Sequence, residues 1–156
     1  MPSGGPQMRC ALGGCGVIEI VVLGTPVAKG RPRFARETGH AYTPEKTRNF
    51  EAALKYAAMQ AMGDRPPLEG PLTVTMDVVM PVAKSWSKKR RAAALNGTDR
   101  PTKKPDWDNF GKTVDALNEV VWIDDGQIVD GRVTKRYGEK PGMWITVTPL
   151  TPEVFG

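Results

Sequence analysis

Apolar and polar residues alternate along Leu72 to Met80 (LTVTMDVVM), with Leu72, Val74, Met76, Val78 and Met80 on one side. A two-residue period is that of a strand with one buried face. Val17 to Leu23 (VIEIVVL) reads the same way and is closed by Gly24 and Pro26. The period changes after Thr43-Pro44-Glu45, where Phe50, Ala53, Leu54, Ala57, Ala58, Ala61 and Met62 recur at helical spacing. Thr43 is placed to cap that helix, Pro44 suits its first turn, and Gly63 supplies the stop. Asp64 to Pro71 is a loop, and Ser87 to Leu95 predicts a short helix ended by Asn96-Gly97. Phe110, Val114, Leu117 and Val121 fall at i, i+4, i+7 and i+11, predicting a helix from about Asp108 to Asn118. A short strand at 120–123, a turn at Asp124-Asp125-Gly126, a longer strand at 128–137 and a last strand at 143–148 follow, with a hairpin closing the chain. This order of elements predicts one α+β domain over 17–150 with a single mixed β-sheet and a few helices. It is flanked by a flexible N-terminal tail at 1–16 and a short C-terminal tail at 151–156.

Composition narrows the class without identifying it. The 156 residues are the size of one domain, and 40% hydrophobic with 25% charged residues is a globular balance. No run of eighteen apolar residues is present, so no membrane span is expected. The first sixteen residues lack the apolar core of a secretory signal, and Met8 is a candidate start of the folded part. Cys10 and Cys15 lie in that tail with no matching Cys or His pair for a zinc site, and read as free thiols of a cytoplasmic protein. The excess of 22 basic over 17 acidic side chains is modest, so the distribution of charge carries more than the total.

That distribution is uneven. Between Asp106 and Asp125 stand six acids (Asp106, Asp108, Asp115, Glu119, Asp124 and Asp125) and a single base, Lys112. On the expected helix Asp108, Lys112, Asp115 and Glu119 are offset by two residues, roughly 200°, from the apolar stripe. Taken singly, each acid has an ordinary account: ion pairs at i,i+4 worth about 0.2–0.5 kcal/mol, favourable charge at a helix N-terminus, or a tight Asp-Gly turn. Taken together they sit at the ends of one helix-to-turn unit, and gathered carboxylates repel unless a cation lies between them. Hard divalent cations take oxygen ligands, so the cluster reads as a Mg²⁺ site for phosphodiester chemistry, with Lys112 holding a carboxylate or neutralising a phosphate.

Basic segments surround it. Lys29, Arg31 and Arg33 alternate in KGRPR and would project to one side of an extended strand, a row suited to a phosphate backbone or, equally, to a solvated edge. Lys84 to Lys104 carries eight bases (Lys84, Lys88, Lys89, Arg90, Arg91, Arg100, Lys103 and Lys104) against one acid, Asp99, with Trp86 among them. Such a loop can grip a backbone and stack on bases, or can be a mobile surface segment. Lys135, in the strand after the acidic turn, joins the candidate DNA contacts.

With these residues in view, the chain resembles the RusA family of Holliday-junction resolvases over about Ile18 to Val147. The resemblance is carried by GTPVAKGRPRF, AYTPEKT, KSWSKKRR and above all KPDWDNFGKTVDALNEVVWIDDGQIVDGRVTKRYG. It implies a homodimeric, Mg²⁺-dependent endonuclease (Mn²⁺ substituting) of bacterial or prophage origin that nicks two opposing strands of a four-way DNA junction. No small-molecule substrate is implied. Carried over by position, the essential acids are Asp106, Asp108 and Asp125, the supporting lysine is Lys112, and Asp124 is a further metal ligand. Trp107 stands between the paired acids, where the family carries a smaller aliphatic residue. A binding-only protein would need the basic loops but not the acids, and a nuclease of broader taste would cut flaps, forks or RNA.

Overall fold

The computed structural model describes residues 17–29, 33–34, 36–37, 39, 41–42, 44–103 and 105–150, with only the backbone of 33–34 and 41–42. Thr43 and the two tails, 1–16 and 151–156, lie outside the described residues. A four-stranded sheet runs in the order β1 (Ile18–Leu23), β6 (Gly142–Pro149), β4 (Leu72–Pro81), β5 (Ile128–Gly138). The β1–β6 and β6–β4 pairs are antiparallel and β4–β5 is parallel, so the sheet is mixed. A separate two-residue pair, β2 (Arg33–Phe34) with β3 (Ala41–Tyr42), was not expected from the sequence.

The registers put one apolar face together. Ile20 lies opposite Ile145, Ile145 opposite Met76, and Met76 opposite Val133. Ile18, Ile20, Leu72, Met76, Val78, Met143 and Ile145 are buried on that face. Helix α1 (Glu45–Met62) covers its β1 side, burying Phe50, Leu54, Ala58 and Met62. The β5 side is covered by α3 (Trp107–Gly111), and the 3-10 helix Lys112–Leu117 that continues it packs against α1. Gly111 fits where a Cβ would rest 3.6 Å from Val133 Cγ2, an ordinary packing distance. Helix α2 (Lys88–Leu95), capped by Ser87 accepting from the Arg90 N–H at 3.2 Å, packs at the far end of β5.

Three expectations are corrected. The last two strands are not a hairpin, because β4 lies between β5 and β6. Alternation shows that a strand has a buried face, not which strand is its neighbour, and the parallel β4–β5 pair uses 82–127 as its crossover. The chain leaves β5 at Gly138 and returns at Gly142, two strand spacings (about 10 Å) away. Both ends are tight: a Cβ on Gly138 would lie 2.5 Å from Val79 Cγ1, and one on Gly142 2.9 Å from the Val22 carbonyl oxygen. Second, the expected 108–118 helix is α-helical only to Gly111 and tightens to 3-10 afterwards. The tighter turn buries Thr113, whose hydroxyl donates to the Phe110 carbonyl at 2.6 Å. Third, 120–123 is not a strand. Glu119 has φ 69°, the chain doubles back, and its N–H donates to the Trp122 carbonyl at 2.6 Å. Trp122 is fully buried, with its indole N–H on Asn118 Oδ1 at 2.7 Å.

Candidate active site

The acids of the 106–125 unit start on two short helical turns. Asp106 occupies the position before α3, but its carboxylate makes no capping hydrogen bond. Helix-end stabilisation therefore does not account for Asp106, whose side chain is left to face outward into a cleft. The second turn is the 3-10 helix Asp125–Gln127. Its cap is Asp124, whose Oδ2 accepts from the Gly126 N–H at 2.9 Å. Gln127 answers by accepting from the N–H groups of Ile123 and Asp124 at 2.9 and 3.0 Å. Gln127 Nε2 also donates to the carbonyls of Leu68 and Gly70, tying the turn to the loop before β4. Asp124 is thus spent on building the turn, and Asp125 is free of that task.

A cleft of about 490 Å³ collects the rest. It is lined by Lys29, Asp106, Asp108, Asn109, Lys112, Asp115 and Asp125. Asp106, Asp108, Asp125 and Lys112 are therefore brought to one cleft, whereas Asp124 does not line it. Lys112 lies 3.8 Å from Asp108 Oδ2 and donates to Asn109 Oδ1 at 3.2 Å. Among the described residues no cationic side chain is within ion-pair distance of Asp106 or Asp125. Nor, among those residues, are three Asp, Glu, His or Cys side chains drawn around one point as for a metal ion. The acids line the cleft as separate oxygen donors, and the donor set that the described residues offer, carboxylates with an amide oxygen, suits a hard cation.

Lys29 enters this cleft from the segment after β1. Its backbone N–H donates to the Asn109 carbonyl at 3.1 Å. Its ammonium lies 2.5 Å from Asp115 Oδ2 and 3.5 Å from Glu51 Oε2. The hydrogen bond to Asp115 raises the Lys29 pKa above its ordinary 10.5; burial opposes this and the Glu51 charge adds to it. Asp115 was counted in the acidic cluster without a role of its own, and Glu51 was not singled out for the site. They are 86 and 22 positions from Lys29 (115 − 29 and 51 − 29), and no local spacing links them.

The remaining basic residues divide. Arg31 and Lys104 lie outside the described residues, and of Arg33 only the backbone is described. Lys84, Lys88, Lys89 and Lys103 are exposed, and Arg91 is half-buried. Trp86 is half-buried: the Arg90 guanidinium sits 3.7 Å from the centre of its ring, and Tyr137 meets it edge-on at 5.1 Å. Arg90 is itself held by Asp99 at 3.4 Å. Lys135 points inward from β5, where its ammonium donates to the carbonyls of Lys103 and Pro105 at 3.1 and 2.7 Å. It fastens the loop that delivers Asp106.

Two comparisons bear on this arrangement. The family model described as Endodeoxyribonuclease RusA matches residues 24–148, which takes in Lys29, the whole acidic unit and the sheet apart from β1 and the last residue of β6. A Bacillus subtilis (strain 168) protein described as "Uncharacterized protein YqaN" is 40% identical over 141 residues, covering 86% of this chain and 97% of that protein. No helix among the described residues is long and apolar enough to cross a membrane.

Proposed function

The chain belongs to the RusA endodeoxyribonuclease family, and on that premise we propose that it is a Mg²⁺-dependent endodeoxyribonuclease that resolves four-way DNA junctions. It acts as a homodimer in the cytoplasm, in DNA recombination and repair, placing one nick on each of two opposing strands. The observation that supports this most directly is the shared cleft: Asp106 and Asp108 before and within α3, and Asp125 just ahead of β5, with Lys29 and Lys112 beside them.

Asp106, Asp108 and Asp125 are the residues that would hold the ion, with Mn²⁺ an acceptable substitute. Bound there, the ion supplies a water of lowered pKa and charge stabilisation on the phosphate. The protein's own groups do the positioning. Asn109 and Asp108 keep the Lys112 ammonium over the cleft, where it neutralises a non-bridging phosphate oxygen. The exposed Lys84, Lys88, Lys89 and Lys103 grip the DNA backbone, a contact that fixes register but carries no base information. Arg91 and the bases of KGRPR are further DNA contacts in this reading. A four-way junction has two-fold symmetry, and a C₂ dimer supplies two cleft copies related by that symmetry.

The test is cleavage of a synthetic mobile-core four-way junction with and without Mg²⁺, alongside an equal-length linear duplex. Wild type nicks the junction symmetrically only with the metal and leaves the duplex intact. Asp106→Asn abolishes nicking while junction binding survives or tightens, because a negative charge near the phosphates is gone. A wild-type chain that shifts the junction in a gel but never nicks it is a binding protein only. One that cuts the duplex as fast is a nuclease of broader specificity.

A further inference from the structure

The two lysines of the cleft are held very differently. Lys112 is loosely placed, with its side chain 61% exposed and Asp108 3.8 Å away. Lys29 is 33% exposed and clamped between Asp115 at 2.5 Å and Glu51 at 3.5 Å, with its backbone fixed to Asn109. An ammonium has three N–H donors in a tetrahedral array. With one matched to Asp115 and one to Glu51, a third remains for the cleft that Lys29 lines with Asp106, Asp108 and Asp125.

This clamp is more than a surface ion pair. A free lysine loses about 2 kcal/mol of rotamer freedom when it is ordered. Here that ordering is already done before any ligand arrives, which is the condition for a charged group to act on a developing negative charge. The clamp also decides the fate of Asp115. It lines the cleft, yet its Oδ2 is already engaged by a cation, unlike Asp106 and Asp125.

We propose that Lys29 is a fixed, phosphate-contacting cation of the cleft, and that Asp115 and Glu51 are positioning residues that hold it there, Asp115 taking no part in binding the metal. The inference rests on the nuclease reading above. Glu51 from α1 and Asp115 from the 3-10 helix act only through Lys29, and neither touches the DNA.

The experiment compares wild type with Asp115→Asn, Glu51→Gln, Lys29→Met and Lys29→Arg. Single-turnover junction nicking, junction affinity across a salt series, Mn²⁺ binding followed by electron paramagnetic resonance, and thermal melting are measured for each. Asp115→Asn lowers the nicking rate about 10- to 100-fold with unchanged or tighter junction binding, since charge is kept but its placement is lost. It binds Mn²⁺ as wild type does, whereas Asp125→Asn does not. Glu51→Gln moves in the same direction with a smaller loss, and stands in for Asp115→Asn if that chain melts below the assay temperature. Lys29→Met lowers the rate and reduces the slope of log affinity against log salt by about one. Lys29→Arg keeps that slope. Wild-type nicking by both Asp115→Asn and Glu51→Gln overturns the inference, as does loss of Mn²⁺ binding in Asp115→Asn. If wild type itself fails to nick with Mg²⁺ the nuclease reading falls, a result distinct from equal nicking by wild type and variants.

Discussion

Replacing Lys135 by Met separates two roles for one lysine. Read along the sequence, Lys135 is one more base for the DNA backbone. In the fold its ammonium is turned inward onto the Lys103 and Pro105 carbonyls at 3.1 and 2.7 Å, one residue short of Asp106. Methionine keeps most of the apolar stem against the sheet and deletes the donor. Hydrogen bonds from a charged donor contribute about 1.5–3 kcal/mol each. The Lys103 end of the loop is exposed, so water compensates one of the two freed carbonyls, and a net loss of about 1.5–3 kcal/mol falls on the docked loop rather than on the sheet. At about 1.4 kcal/mol per tenfold, that lowers the equilibrium constant for holding Asp106 in place by about 10- to 100-fold, and the single-turnover nicking rate by up to the same factor. Global melting changes little, because the loop adds little to the core. The assay is single-turnover junction nicking beside a salt series of junction binding. The expected result is a slower cut with an unchanged salt slope. A nicking rate equal to wild type, with the salt slope reduced by about one, refutes the argument and returns Lys135 to the DNA.

Other outcomes follow from single contacts. Gly126→Ala puts a Cβ 2.8 Å from Asp124 Oδ2, displacing the cap next to Asp125; nicking falls about tenfold with a change in melting of only about 1 kcal/mol, read by the same cleavage assay and by calorimetry. Trp122→Ala empties a fully buried site and orphans Asn118 Oδ1, costing about 3–5 kcal/mol in urea denaturation. The Lys29 clamp has an alkaline signature. Its folded-state pKa is raised, so its contribution to stability is complete below 10.5 and is lost as pH rises through the higher folded value. Wild type minus Lys29→Met, compared by urea denaturation from pH 8 to 12, should be a constant difference that shrinks only above pH 10.5.

How much of this was legible in the chain depends on the range of the interaction. The strand over Leu72–Pro81 was readable because its buried side chains recur every second residue, a property of that segment alone. The place of β4 between β5 and β6 was not, because alternation is the same for either neighbour. A helical segment near 108–118 was readable from the stripe that begins at Phe110, but its change from α to 3-10 at Lys112 was not, because an apolar stripe of that spacing does not distinguish the two. At the site, Asp106, Asp108, Lys112 and Asp125 stood out as an acidic cluster with one base, and all four line the cleft. Glu51 gave no such signal, and Asp115, though counted in that cluster, was not separated from the other acids, since the part each plays comes from a lysine that reaches them only after folding.

The sequence shows two pairs of carboxylates, Asp106 with Asp108 and Asp124 with Asp125, and only the family resemblance, not the residues themselves, ranks Asp125 above Asp124. Hydrogen-bond accounting ranks them as well. A carboxylate that caps a turn has part of its acceptor capacity committed to backbone N–H groups, and it gains from staying there about what a lost cap costs, on the order of 1 kcal/mol. Asp124 is such a group, held by Gly126 and reinforced by Gln127. Asp106 stands at the equivalent position ahead of α3 and makes no cap. A helix start left uncapped by a residue type that ordinarily caps well is a local sacrifice of stability, and sacrifices of that kind gather where a side chain has other work. The same accounting applies to the cations: Lys135 and Arg90 are committed to the protein, whereas Lys84, Lys88 and Lys89 have no ion-pair partner among the described residues. Charge left unspent by the fold, of both signs, therefore marks the surface where a polyanion and the cation that accompanies it would complete the structure.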